Sequence, residues 1–352
     1  MVDQSFWRGK RVLLTGHTGF KGSWLSIWLQ HMGCELHGFS LEPPTNPSMF
    51  GLLSVGDRMN SKIGDIRDLS AVERFVDEVE PEIVIHMAAQ SLVRDSYSSP
   101  VHTFATNVTG TVNILEALRK SDSVRVFVNV TTDKCYENRE WLWGYREDDH
   151  LGGHDPYSAS KACSEIVTSA YRRSFFSGAE ALAVASARAG NVIGGGDWSK
   201  DRLIPDTLMA FRKSETVVIR NPGATRPWQH VLEPLSGYLC LAQKLFEGSK
   251  LARDAWNFGP KDEGIKPVQY LVNYLADNWF GERHWKVDST VQPHEANLLK
   301  LDISKATSLL GWSPKWDLDQ TLESILAWEH CYQSGKDLRE ETLRQITEYM
   351  NS

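Results

Sequence analysis

Short apolar runs alternate with stretches of helical periodicity through the first half of the chain. Arg11-Val12-Leu13-Leu14-Thr15-Gly16 is an apolar run closed by glycine, the form of a buried strand. Trp24, Leu25, Trp28, Leu29 and Met32 then recur at helical spacing, predicting a helix over 23–32 with Gly33 as its stop. The pattern predicts a second strand over 35–40, a helix over 70–79 broken by Pro81, and a third strand over 83–89. A helix over 108–119, a strand over 124–132, a long helix over 158–175 and a strand over 182–189 follow. Such alternation gives right-handed crossovers, so the expected fold is α/β with a doubly wound parallel sheet.

Beyond about Asn191 the alternation breaks at Gly194-Gly195-Gly196 and at scattered prolines. One helix over 235–246 and one strand over 255–260 remain, so 231–260 reads as a return to the sheet. The expected domains are 1–193 as a nucleotide-binding unit rejoined by 231–260, with 194–230 and 261–352 mainly a smaller C-terminal substrate lobe.

Composition narrows the function classes. A chain of 352 residues easily buries a core, and a net charge of −7 argues against a nucleic-acid partner. Cys34, Cys135, Cys163, Cys240 and Cys331 are scattered without metal-ligand spacing, which points to reduced thiols and no metal site. No apolar run approaches the ~20 residues that span a bilayer, and no secretory signal opens the sequence. A cytoplasmic enzyme without membrane attachment is expected.

The first candidate chemistry lies between the first strand and helix. In Thr15-Gly16-His17-Thr18-Gly19-Phe20-Lys21-Gly22 a diphosphate can approach backbone N–H groups and the positive end of a helix. Side chains at the glycines would block that approach. The spacing is GxxGxxG rather than GxGxxG, and the context makes the sheet Rossmann-type. Gly16, His17, Thr18, Gly19, Phe20, Lys21 and Gly22 are therefore candidate cofactor contacts. The second strand ends at Ser40, with Glu42 beyond it and no arginine placed for a 2′-phosphate, which favours NAD. Asp65 and Ile66 are expected beside the adenine; the competing reading of Asp65 is a helix cap before Leu69.

Tyr157 and Lys161 open a helix after Pro156, and their i, i+4 spacing puts both on one face. A neighbouring ammonium is expected to lower the phenol from its ordinary ~10. Thr132 can donate to the same substrate oxygen, and the trio suits deprotonation of an alcohol as hydride leaves for NAD. Asp133 and Lys134 add a second acid/base pair for which a plain dehydrogenase has no need.

The chain resembles, over essentially its full length, the extended short-chain dehydrogenase/reductases that act on nucleotide sugars. The resemblance rests on the three glycines, Asp65, Ala88-Ala89-Gln90-Ser91, Asn107, Tyr157/Lys161 and Asn191. It extends through Arg226-Pro227-Trp228-Gln229-His230-Val231, Asn257-Phe258-Gly259 and Leu310-Gly311-Trp312-x-Pro314. Thr132-Asp133-Lys134-Cys135-Tyr136 is similar to the corresponding segment of the CDP-glucose 4,6-dehydratases. This resemblance implies CDP-glucose as substrate, Ala88 and Ala89 as further cofactor contacts, and Gln90, Ser91, Asn191, Arg202 and Arg226 as substrate contacts. It also implies a hydro-lyase of deoxysugar biosynthesis, of the kind that supplies lipopolysaccharide O-antigen, working as a homodimer at least, with a tetramer as the larger alternative. Other nucleotide-hexose dehydratases and 4-epimerases share the fold and are the rival readings. Three departures stand out: Lys134 where relatives place glutamate, Ser40 where an acid is common, and His17 where a small residue is usual. The last two predict weaker retention of NAD.

Overall fold

The structure, a computed structural model, describes residues 2–178, 181–288 and 298–352. Seven parallel strands form the central sheet: β1 (Arg11–Thr15), β2 (Glu35–Ser40), β3 (Asn60–Ile63), β4 (Ile83–His86), β5 (Val126–Val130), β6 (Ala183–Ala189) and β7 (Ala255–Phe258). Their spatial order is β7-β6-β5-β4-β1-β2-β3. In register, Leu14 lies opposite Gly38 of β2 and Ile85 of β4. Chain order reverses between β1 and β4, and in sheets of this kind ligands bind outside the carboxyl ends of the strands at that point.

The main helices are α1 (Phe20–His31), α2 (Leu69–Val79), α3 (Gly110–Lys120), α4 (Pro156–Ser174), α5 (Leu203–Arg212), α6 (Leu232–Phe246), α7 (Val268–Asp277), α8 (Leu318–Gln333) and α9 (Leu338–Asn351), of which α1 and α6 cover one face of the sheet and α2, α3 and α4 the other. Because side chains alternate along a strand, Val12, Leu14, Ile83 and Ile85 pack on the face of α1 and α6, while Leu13 and Val84 pack with α2 and α3. Burial on both faces is why these strands read as unbroken apolar runs.

A second core joins Leu208 and Phe211 of α5, Leu271 and Leu275 of α7, and Leu322 and Ile325 of α8. Further along α8, Trp328 fills the space above Gly195, where a Cβ would sit 2.2 Å from the indole. The last helix returns to the sheet: Tyr349 meets Trp28 of α1 edge-on at 5.8 Å. Arg339 donates to the Leu53 carbonyl and the Gln30 side chain.

Strand β3 has no counterpart in the sequence pattern because Asn60-Ser61-Lys62-Ile63 is a polar edge with little burial. Helix α1 begins at Phe20, three residues before the apolar periodicity. Its N-cap is Gly19, which offers no side chain to cap the first-turn amides. Asp155 caps α4 by accepting from Ser158 N at 2.9 Å, with Pro156 as its first residue. A π-helical turn, Ala105–Thr109, precedes α3; such turns concentrate at functional sites.

Candidate active site

A cleft of about 1660 Å³ opens at the carboxyl ends of the strands. Gly16, Thr18, Gly19, Phe20, Lys21, Gly22, Asp65, Ile66, Ala88 and Ala89 line it together with Gln90, Ser91, Thr132, Asp133, Lys134, Tyr157, Lys161, Asn191, Arg202 and Arg226. Of the candidate site residues His17 alone is outside this lining. Its ring lies beneath β2, Nε2 2.7 Å from Ser61 Oγ and edge-on to Phe50. Gly38 makes room for it, since a Cβ there would sit 2.5 Å from the imidazole. Burial pulls His17 down to about 4.

The glycine loop is shaped as a cradle. Gly16 holds a positive φ of 78°, and a Cβ on it would meet Ala88 N at 2.7 Å. A Cβ on Gly22 would strike the Gly16 carbonyl oxygen at 2.1 Å. Backbone this close, opening onto the uncapped amides of α1, fits the diphosphate of a dinucleotide. Ser40 is tied back to the loop: Thr18 Oγ1 lies 2.8 Å from Ser40 Oγ and donates to the Leu41 carbonyl. Asp65 pairs with Arg67 and accepts its backbone N–H, an arrangement that holds the carboxyl below its usual range. Asp68, not Asp65, caps α2.

The acid/base groups converge at the ends of β5 and the start of α4. Tyr157 is buried, and burial pushes its phenol up to about 12 against a hydrogen bond with Thr132. Lys161 donates to the Val130 carbonyl at 3.1 Å. Burial pulls its ammonium down to about 8, opposed by Glu165. The expected lowering of the phenol is thus not found: burial raises it, and Lys161 turns its ammonium to the Val130 carbonyl. Asp133 is 1% exposed. Its Oδ1 accepts from Thr132 Oγ1 at 3.0 Å and faces Lys134 Nζ at 3.8 Å. Its Oδ2 has no protein partner, and Gly190 leaves it room: a Cβ there would be 3.0 Å away. Asn191 Oδ1 is likewise buried without a protein partner. A third of the Lys134 side chain is exposed.

Across the cleft, Arg202 bridges Asp197 at 2.9 Å and Ser91 Oγ at 3.3 Å, and Arg94 pairs with Asp201. Gln90 is fixed by Asn107, whose side chain accepts from Gln90 N and donates to Gln90 O and to Ser160 Oγ of α4. Trp198 packs on Trp328, Trp141 stacks on Tyr145 and Trp143 is exposed; none of them lines the cleft.

Sequence reasoning missed the support beneath these groups. Glu165, buried, bonds Arg188 Nη2 at 2.9 Å, Ser186 Oγ at 2.6 Å and the Thr131 hydroxyl. Arg188 also donates to Tyr136 Oη, which donates to Asn257. The signal was present: Glu165 falls on the same face of α4 as Tyr157 and Lys161, and Arg188 interrupts an otherwise small, apolar strand. His86 is a further missed group. Its Nδ1 lies 2.7 Å from Thr15 Oγ1 and its Nε2 3.3 Å from Thr111. Thr15 Oγ1 accepts from Met87 N and Ala88 N, and Thr111 donates to the Asn107 carbonyl. These bonds assign the imidazole N–H to Nε2.

Among the described residues no helix is long and apolar enough to cross a membrane, and no cluster of three metal-ligating side chains is present. Residues 13–325 match the family model of GDP-mannose 4,6 dehydratase. The chain is 52% identical to a CDP-glucose 4,6-dehydratase of Salmonella typhimurium, covering all of this chain and 99% of the relative. It is 26% identical to a dTDP-glucose 4,6-dehydratase of Xanthomonas campestris over 90% of this chain and 92% of that one. Among solved structures, a dTDP-glucose 4,6-dehydratase of Streptomyces venezuelae with NAD bound superposes with a TM-score of 0.77 at 24% identity, over 94% of this chain and 99% of that chain.

Proposed function

The chain belongs to the GDP-mannose 4,6-dehydratase family, and from that premise we propose that it is an NAD-dependent CDP-D-glucose 4,6-dehydratase, a hydro-lyase forming CDP-4-keto-6-deoxy-D-glucose for deoxysugar biosynthesis. One observation carries the reading: a Tyr157/Lys161 pair and an Asp133/Lys134 pair share one cleft, joined through the Thr132 hydroxyl. The 52% identity supports the choice of CDP-glucose.

Gly16 to Gly22, with Asp65 and Ile66, would hold NAD, which when bound would supply the hydride acceptor for C4 and the donor for C6. Tyr157, as phenolate, takes the C4 hydroxyl proton while Thr132 hydrogen-bonds the same oxygen. Lys161, one turn along the same helix face, is the proposed partner of that tyrosine in the substrate complex. The C4 ketone acidifies the C5 hydrogen. Transfer of one proton across the Lys134–Asp133 ion pair yields a neutral amine and a carboxylic acid. The amine removes the C5 proton and Asp133 protonates the departing C6 hydroxyl, so elimination of water restores the ion pair. Once C6 has received its hydride, the Lys134 ammonium returns a proton to C5. Tyr157 then holds one proton more and the Lys134/Asp133 pair one fewer than at the start, and Thr132, bonded to both Tyr157 and Asp133, links the two for the return of that proton. Asn191, Arg202, Arg226, Gln90 and Ser91 are the proposed substrate contacts; arginine's planar fork suits phosphate oxygens.

The proposed substrate lobe is mainly 194–230 and 261–352, with α9 anchoring it to α1. Exposed Val101 and Ile166, near and on α4, support a homodimer formed through 100–120 and α4. Five unpaired cysteines support a reducing, cytoplasmic setting.

The test is incubation with NAD and, side by side, CDP-, UDP-, GDP- and dTDP-hexoses, followed by alkaline development of the 4-keto chromophore. Chromophore from CDP-glucose is the expected result. A C4 epimer without chromophore establishes an epimerase instead.

A further inference from the structure

The segment 131–136, which carries Asp133 and Lys134, is gripped at both of its ends by one buried ion pair. Glu165 of α4 and Arg188 of β6 stand 2.9 Å apart, each 3% exposed. At the upstream end the Thr131 hydroxyl donates to Glu165 Oε1. At the downstream end Arg188 Nη1 donates to Tyr136 Oη at 2.8 Å, and Tyr136 Oη donates in turn to Asn257 Oδ1 at 2.7 Å. The Tyr136 ring is stacked on Tyr145 at 5.1 Å, so the hydroxyl has one place to be.

Between these ends lies a single turn of 3-10 helix, Asp133–Cys135. Its two backbone bonds, Cys135 N to Thr132 O and Tyr136 N to Asp133 O, are both 3.4 Å, longer than a well-formed amide bond. Gly152 N ties the Cys135 carbonyl to the loop before α4 at 2.8 Å. Asp133 Oδ2 has no protein partner, and Lys134 is the more exposed member of the pair. Local structure therefore holds the turn loosely, and its gripped ends decide where the carboxylate and the ammonium sit. Glu165 follows Tyr157 and Lys161 at successive four-residue steps along α4. One helix thus carries Tyr157 and Lys161 directly, and Asp133 and Lys134 through its ion pair with Arg188.

Resting on the dehydratase reading above, we infer that Glu165, Arg188 and Tyr136 are positioning residues for the elimination step. They set Asp133 and Lys134 against C6 and C5 of a sugar whose C4 oxygen is held by Tyr157 and Thr132. Oxidation at C4 uses a tyrosine built into α4 itself. Elimination needs two proton transfers on adjacent carbons, both from side chains of the loosely bonded turn. Loosening the downstream grip therefore slows elimination while C4 oxidation continues. A displacement of about 1 Å in such a constellation costs about 10² in rate.

The test mixes NAD-loaded full-length protein rapidly with CDP-glucose and follows the absorbance of the reduced cofactor. Its rise reports C4 oxidation, and its fall reports elimination followed by return of hydride to C6. The variants are Tyr136→Phe, which keeps the ring and removes the hydroxyl between Arg188 and Asn257, and Arg188→Lys. The latter keeps a charge for Glu165 and gives up the planar fork that also reaches Tyr136. Thermal melts confirm that each is folded. In both variants the fall is expected to slow by about 10² and the rise far less, so that reduced cofactor accumulates. Entry of solvent deuterium at C5 should slow in step with the fall. Rise and fall slowed alike make the ion pair a general support of the site and overturn the inference. Unchanged kinetics, or no accumulation of reduced cofactor, overturn it too. If Tyr136→Phe does not fold, Arg188→Lys decides by the same criteria; if neither folds, the network serves folding alone and the inference fails. Failure of the unmodified protein to form a 4-keto product from any nucleotide hexose defeats the dehydratase reading itself, a result distinct from any of these.

Discussion

The ammonium of Lys134 stands 3.8 Å from Oδ1 of Asp133, and the other carboxylate oxygen of that buried aspartate has no protein partner. One proton moved between them converts an ion pair into an acid and a base side by side. In the proposed mechanism that relationship separates a dehydratase from a simple oxidoreductase on this fold, because Tyr157 and Lys161 alone would serve only the alcohol–ketone step.

Replacing Lys134 by Ala is expected to leave C4 oxidation in place while stopping solvent deuterium from entering C5. Turnover should fall by about 10²–10⁴, the usual contribution of a positioned base. Mass spectrometry of the product recovered from deuterated buffer reads the result. Normal incorporation at C5 removes Lys134 from the role of base.

Glu165 and Arg188 form a buried pair directly behind Thr131 and Thr132. Burial opposes the charge on Glu165, yet Arg188 and the hydroxyls of Ser186 and Thr131 hold its carboxyl below the ordinary range. Glu165→Gln leaves a buried guanidinium without its counter-charge and is expected to cost about 3–5 kcal/mol in urea unfolding. A cost below about 1 kcal/mol would show that the pair is no more than a surface bridge in effect.

Acid should destabilise the fold through its buried imidazoles. Burial pulls His86 and His230 to about 3 and His17 to about 4. Between those values and the unfolded ~6.5, the unfolded chain binds protons that the native one does not. Stability is therefore fully present above about pH 6.5 and lost as pH falls toward 3. Near pH 5 each imidazole contributes a loss of about 2 kcal/mol. Unfolding curves at pH 7.5 and 5 measure the difference, and a flat profile contradicts it.

Cofactor retention should be weak. The position where an acid would hold the adenine ribose carries Ser40, and its hydroxyl is engaged by Thr18. Protein purified without added NAD is expected to be largely cofactor-free and to gain activity on addition of NAD. Purified protein carrying a full complement of NAD or NADH contradicts this.

Much of the molecule was legible in the sequence because its strands are buried on both faces and its helices keep a 3.6-residue period. The glycine loop, Tyr157/Lys161 and Thr132-Asp133-Lys134 were legible because each chemistry needs particular residues at fixed spacings, and the fold brings them into one cleft. What escaped was long-range or unpatterned. Strand β3 is polar on an edge, and the first turn of α1, Phe20-Lys21-Gly22, carries no apolar periodicity and no capping side chain. The inward turn of His17 depends on Gly38 and Ser61, neighbours from other strands. Glu165 meets Arg188 only once α4 lies on β6, and Lys21 meets Tyr238 across more than two hundred residues.

The most direct measurement follows one hydride. CDP-glucose carrying deuterium at C4 is turned over with NAD, and the product is analysed for the position of the label. Intramolecular transfer places the deuterium in the new C6 methyl group of the same sugar. Deuterium lost to solvent, or found in free reduced cofactor, contradicts the dehydratase mechanism outright.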